Sequence, residues 1–265
     1  GAEDFMNAWF LIADFAESEE ETENDIVFIE TIGNILVMTL QNIQLFEEKL
    51  AKERIQRELQ VAGSIQRLSL PSDFNYHPAL DIHAENMAHS SVGGDFFNIL
   101  KTDEDEIHFF IADAAGKGVA AALLITNIQA NLNALINIDA THKQIVNQLH
   151  DVIGKLTNFE AFVTLFLGKI NLKTHTLTYL NAGHNPPLLH HKGEWQELRD
   201  GCIPLGIMPI EDFNVGEIDF EPGDFLFTYT DGVVEQNNPK DELFGEARIE
   251  QFLKDREGQT PEAII

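Results

Sequence analysis

The chain has 265 residues, 44% of them hydrophobic with 19 phenylalanines, enough for one large domain, or a domain and an appendage, around a packed core. Its formal net charge of −27 argues against nucleic acid, because a duplex needs several Lys or Arg to replace its counterions, and equally against anionic membrane surfaces. A phosphorylated substrate is repelled too, unless cations or a local basic spot neutralise the site. In chain order, NAWFLIADF (7–15) reads as a strand, and the acidic ESEEETEND (17–25) as a solvated turn and helix start, since carboxylates suit the positive end of a helix. From Asp25 to Leu68 there is no proline, and Gly33 and Gly63 are the only glycines. Ile29, Ile32, Leu36, Ile43, Phe46 and Leu50 form a 3–4 stripe that resumes out of step at Ile55, Leu59 and Ala62. This predicts one long helix with a coiled-coil-like seam, whose cover is a partner helix or, on a second reading, the chain's own body.

Pro71 closes the helix. Residues 79–88, 95–100 and 106–114 read as strands, the last two joined by the polar hairpin KTDED, and 118–138 and 143–156 as amphipathic helices. Further strands are predicted over 161–170, 174–182, 186–191, 194–199, 214–220 and 223–230, and a final helix from about Glu246. Hairpins dominate over βαβ alternation, which indicates an α+β chain with mostly antiparallel sheets.

Three aspartates stand beside glycine at the ends of apolar strands: Asp95 in VGGDFF, Asp113 in FIADAAGKG and Asp231 in FTYTDGVVE. Such carboxylates are held rigidly, and glycine lets ions approach closely. Converging, they suit hard cations such as Mg2+ or Mn2+, which take oxygen ligands and keep waters. A pair of such ions would lower the pKa of a shared water and offset phosphate charge, which answers the repulsion objection. Other chemistries thin out. Cys202 in GCIPLG lacks the following arginine of a cysteine phosphatase loop, and AGKG lacks the spacing of a nucleotide P-loop. His190 and His191 do not have helical zinc spacing, and His184 in NAGHNPP reads as a hydrogen-bonded structural histidine. As the only cysteine, Cys202 allows no intrachain disulfide and suggests a reducing compartment. Uninterrupted apolar runs such as ILVM (35–38) are short and no signal-peptide pattern opens the sequence, so the expectation is a cytoplasmic protein without membrane insertion.

Taken together, AGSIQRLSLP, VGGDFFN, IADAAGKGVAAALL, FVTLFLGKINLKTHTLTYLNAGHNPPLL, PLGI and FTYTDGVVEQN…LFGEARI resemble, in order and spacing, the bacterial PPM/PP2C-like serine phosphatases of the stage II sporulation E and sigma-factor-regulator type. The resemblance covers about residues 60–265 and implies a PP2C-like central antiparallel β-sandwich flanked by helices. It implies two Mn2+ or Mg2+ ions and direct attack of an activated water on a phosphoserine or phosphothreonine. By motif, Asp95 is then a metal ligand, Asp113 the bridging carboxylate with the Ala114 backbone carbonyl beside it, and Asp231 a further ligand. Asn98 replaces an aspartate common in the family, and Lys117 stands where histidine is frequent, shaping the turn. The family's terminal DD(I/R)T strand would carry another ligand, and the sequence ends at PEAII ahead of that position.

Residues 1–50 resemble the last strand and C-terminal helix of a GAF-type sensor domain, 51–71 a helical linker, and 72–265 the phosphatase domain. The resemblance further implies a phosphorylated STAS-type anti-anti-sigma factor as substrate, control by a sensor through the helix, and a homodimer paired along it. The alternative is a catalytically weak, phosphatase-like dimeric signalling module.

Overall fold

The computed structural model describes residues 19–87 and 91–265. The strand expected over 7–15 lies outside the described residues. Helix α1 runs Glu19–Leu68, so the acidic stretch is already helical from Glu19. Glutamate, glutamine, leucine and lysine favour this state, and exposed i,i+4 pairs such as Arg54–Glu58 (3.3 Å) add a few tenths of a kcal/mol each. The chain divides into two compact units, residues 1–58 and 59–265. In the first, the apolar seam is open: Ile32, Leu36, Ile43, Phe46 and Leu50 are all exposed. The absence of long uninterrupted apolar runs understated this helix. Within Asp25–Leu68 an 18-residue window reaches a mean hydropathy of 1.5, long and apolar enough to cross a membrane by length and composition; Val119–Asn137 passes the same test as a core helix.

The second unit is layered. Strands β1 (Asp95–Lys101), β2 (Glu106–Ala114), β3 (Val163–Asn171) and β4 (Thr176–Ala182) form an antiparallel meander. The edge of β4 is completed by β7 (Gly201–Cys202, parallel) and β8 (Gly216–Asp219, antiparallel). A second sheet has the order β6 (Glu194–Glu197), β5 (Leu188–His191), β9 (Phe225–Phe227). Period-2 alternation sends Phe110, Ala112, Leu165 and Leu167 to one face of the large sheet, where Leu124, Ile128 and Leu132 of α2 (Val119–Asn137) and Ile145, Leu149 and Ile153 of α3 (His142–Thr157) cover them. Phe166, Leu177 and Tyr179 face the other way and meet Leu189 and Leu198, the filling between the two sheets. Beyond the small sheet, Leu188 and Tyr229 pack on Ile249 and Leu253 of α5 (Glu246–Lys254) and Ile264 of α6 (Pro261–Ile264). This is the expected β-sandwich between helical layers.

Local signals fix the ends. Gly116 (φ 99°) and Gly118 (φ 84°) make the turn from β2 into α2 that an L side chain would strain. Thr141 and Gln144 close a reciprocal capping box on α3, which stops at Asn158 in the left-handed region. One strand prediction fails: residues 79–87 are irregular. Their alternation marks an extended, half-buried run, but the Leu80 amide bonds the His77 carbonyl within a turn (3.0 Å) and no ladder forms. Half-burial alone produces that sequence pattern. The two-residue β7 and the four-residue α4 (Asp231–Val234) and α6 were too short to read.

Candidate metal centre

Asp95 opens β1 and Asp113 lies near the end of β2, and the register sets them directly opposite each other. Two charged carboxylates in that relation repel, which favours a proton kept on one of them. Asp231 begins α4, just past β9. One carboxylate oxygen from each of the three lies within 4.8 Å of the others. The three candidate side chains therefore meet at one corner of the second unit.

Their surroundings are built. Thr230 donates from Oγ1 to Asp95 Oδ2 (2.7 Å), joining the Asp231 segment to β1. Asn86 Nδ2 donates to the Asp95 carbonyl (3.1 Å). Gln66, in the last turns of α1, holds both polar groups of Gly93, donating to its carbonyl (2.9 Å) and accepting from its amide (3.0 Å). A Cβ at Gly94 would stand 3.1 Å from the Ala114 carbonyl oxygen and 3.4 Å from Asp113 Oδ1, so glycine keeps that side open.

Burial, then the hydrogen bond shared with Asp95, then the charges of Asp95, Asp231 and Glu235 push the Asp113 carboxyl up to about 8. Burial raises Asp231 as well, followed by Glu235 and Asp95, while the Gly232 amide and Lys117 pull it down. A partly buried set of hard oxygen donors with this excess of negative charge fits a divalent cation: the charge that raises these carboxyls is what an ion would neutralise. The Ala114 carbonyl, implied as a further oxygen by the family resemblance, faces Gly94.

Several neighbours of the cluster escaped sequence reasoning. Glu235 sits one helical turn beyond Asp231, and that i,i+4 spacing was the available signal. Gln66, Asn86 and Thr230 carried none. The other candidates fall outside the cluster. Asn98 is buried and ties β1 to α2 through Asn133 (3.1 Å). His190 pairs with Glu257 (3.0 Å), and His191 with Asp224 (2.7 Å). Burial raises the Cys202 thiol to about 11, which leaves no thiolate for nucleophilic attack. His184 is buried and hydrogen-bonded, as expected of a structural histidine.

Residues 103–265 match the family model of stage II sporulation protein E (SpoIIE). The phosphoserine phosphatase RsbU of Bacillus subtilis is 28% identical over 186 residues, 69% of this chain and 55% of RsbU. The chain thus spans about half the length of that relative. Among solved structures, the SiaA-PP2C domain of Pseudomonas aeruginosa has a TM-score of 0.68 at 22% identity, covering 81% of this chain and 87% of that one. RsbX in complex with magnesium has a TM-score of 0.51 at 22% identity, covering 70% and 80%. At these identities the structural neighbours establish the PP2C fold.

Proposed function

Since the chain belongs to the stage II sporulation protein E family, we propose that it is a metal-dependent protein serine/threonine phosphatase. The observation that carries this reading is the meeting of Asp95, Asp113 and Asp231 within 4.8 Å. In this reading the three carboxylates and the Ala114 carbonyl hold two Mn2+ or Mg2+ ions, and the magnesium of RsbX is consistent with that choice. Bound there, the ions would supply Lewis acidity to an attacking water and charge neutralisation to the phosphoryl group. The chain's own residues do the rest. Thr230 holds Asp95 through Oδ2, and Asp113, whose carboxyl is pushed up to about 8, would have to release its proton to serve as a ligand. Asn86 and Gln66 hold the backbone on either side of Asp95.

The substrate in this proposal is a phosphorylated STAS-type protein, a class suggested by the family resemblance and in keeping with RsbU's designation as a phosphoserine phosphatase. Residues 1–50 are the end of a GAF-like sensor domain, 51–71 a linker and 72–265 the phosphatase domain. The sensor acts through α1, two copies pair along that helix, and the protein works in the cytoplasm. Hydrolysis of a phosphoserine protein is expected with Mn2+ or Mg2+ and not with chelator. Full activity in Asp113→Asn, or turnover indifferent to chelator, would overturn the reading; cation binding without any turnover would favour the signalling module.

A further inference from the structure

The helical layer of the second unit carries a trough of about 870 Å3 that the catalytic reading leaves unused. It is lined from α3, from the end of α2 and from the segment after Gly206, and by no residue of the aspartate cluster. Gln144, Asn147, Gln148 and Asp151 of α3 follow one another in it at i, i+3, i+4 and i+7, one face of a helix. That row is roughly 10 Å long at the rise of an α-helix. Ile138, which is 74% exposed, and Pro209 and Ile210 supply apolar walls. The segment carrying the last two is pinned to α3 by Lys143, which pairs with Asp212 (3.0 Å) and lies over the Phe213 ring.

Two features of this lining run against stability. Phe159 has φ 59°, in the left-handed region that a bulky side chain rarely adopts. Its ring is 53% exposed and is seated over α3 only because residue 154 is glycine: a Cβ there would lie 2.3 Å from the ring. A glycine inside a helix is itself unfavourable. The second feature is His150, which is 7% exposed. Its Nδ1 accepts from the Gly206 amide (3.2 Å), which leaves the proton on Nε2, and among the described residues nothing accepts from that nitrogen. Backbone strain and a free donor on a buried ring, both in one trough, point to a ligand.

The lining also selects the chemistry of that ligand. Its two charged members, Asp139 and Asp151, are both acidic, and no Lys or Arg lines it. Lys155 approaches Asp151 only to 3.9 Å, with both groups exposed, so that carboxylate stays available. Primary amides donate and accept alike, which suits the N–H and C=O groups of an extended backbone. A small-molecule pocket encloses its ligand, whereas the whole α3 row here is exposed.

We propose that this trough is a docking site for an extended, basic and apolar peptide segment of a partner protein. Asp139 and Asp151 take its Lys or Arg side chains, the amide row and His150 Nε2 meet its backbone, and Phe159 and Ile138 meet its apolar side chains. The proposal does not depend on the metal-site reading.

The test uses a fluorescently labelled octapeptide of alternating leucine and arginine, with binding read by anisotropy at about 0.15 M salt. The peptide is expected to bind, and unlabelled peptide with glutamate in place of arginine is expected not to compete. Asp139→Asn with Asp151→Asn should weaken binding roughly tenfold, as loss of two exposed ion pairs implies. Asn147→Arg, at an exposed helical position, should weaken it at least as much, with circular dichroism as the fold control. Asp103→Asn with Glu104→Gln removes the same charge from the β1–β2 hairpin and should leave the affinity unchanged. An equal loss in that hairpin variant would assign the binding to net charge and overturn the site. Competition by spermine at concentrations equal to the peptide would overturn the peptide occupant in favour of a small cation. No binding up to about 1 mM peptide would overturn the proposal outright.

Discussion

At the scale of single residues, Asp113 concentrates the conflict between stability and chemistry. Its folded-state pKa of about 8 stands above the ordinary 3.8. The folded chain therefore keeps a proton that the unfolded chain releases, and this stabilising contribution is fully present below the ordinary value and lost as pH rises through about 8. The metal-free protein should melt at progressively lower temperature from about pH 4 to about pH 8. Asp113→Asn should flatten most of that slope and raise the metal-free melting temperature at alkaline pH, as calorimetry with chelator would show. Asp231, also raised, leaves a smaller slope of the same sign. A cation must displace the Asp113 proton, so its affinity should climb with pH until that proton is gone; equal slopes in the two proteins would remove Asp113 as the cause. The three aspartates were legible because each stands at one end of an apolar run with a glycine within three residues. Thr230 was not: it reaches Asp95 across 135 residues, and nothing local in TYTDG announces that hydrogen bond.

At the scale of elements, the central sandwich strands were legible from alternation, since β2, β3 and β4 each divide their apolar side chains between two different cores. The irregular run at 79–87 has the same half-buried alternation with no neighbouring strand, and a sequence does not record which edge is free. The end of α1 shows the reverse case. Its helical state was plain, while its bond to the loop before Asp95 depends on Gln66 and Gly93 meeting 27 residues apart. Gln66→Ala removes both hydrogen bonds to Gly93 and exposes that backbone pair, a loss of about 1–3 kcal/mol. The expected result is a lower melting temperature together with weaker Mn2+ binding, since the freed loop leads directly into Asp95. A fall in stability with Mn2+ affinity intact would show that the clamp serves the fold alone. Gly63→Ala should act in the same direction, because its Cβ would fall 1.7 Å from the Ser91 carbonyl oxygen.

At the scale of the molecule, the open seam of α1 needs a cover, and the sequence offers three. In heptad terms Ile29, Leu36, Ile43 and Leu50 repeat at one position and Ile32 and Phe46 at the other, with Thr39 between them. The repeat breaks where Glu53 and Arg57 take the next two seam positions, which is the phase shift seen in the sequence. A bilayer is the second possible cover, given a window of mean hydropathy 1.5. Against it stand Glu30, Asn34, Gln41, Asn42 and Gln44 inside the apolar stretch, each costly in hydrocarbon without a partner, and a net charge of −27 that anionic lipid repels. The third cover, a segment outside the described residues, requires no repeat at all, whereas a seven-residue period is what a partner helix selects. Each seam side chain removed from water adds about 1.5–3 kcal/mol, so a few heptads suffice for association. Sedimentation should therefore find a dimer, and Leu36→Lys with Ile43→Lys should give a monomer whose Mn2+ binding is unchanged, since both positions lie outside the unit that carries the aspartates. Flotation of the unaltered protein with neutral phosphatidylcholine vesicles, abolished by the same pair of lysines, would assign the seam to the bilayer instead. A monomer in both experiments would leave the heptad repeat covered from within the chain and remove pairing as the route by which α1 carries a signal.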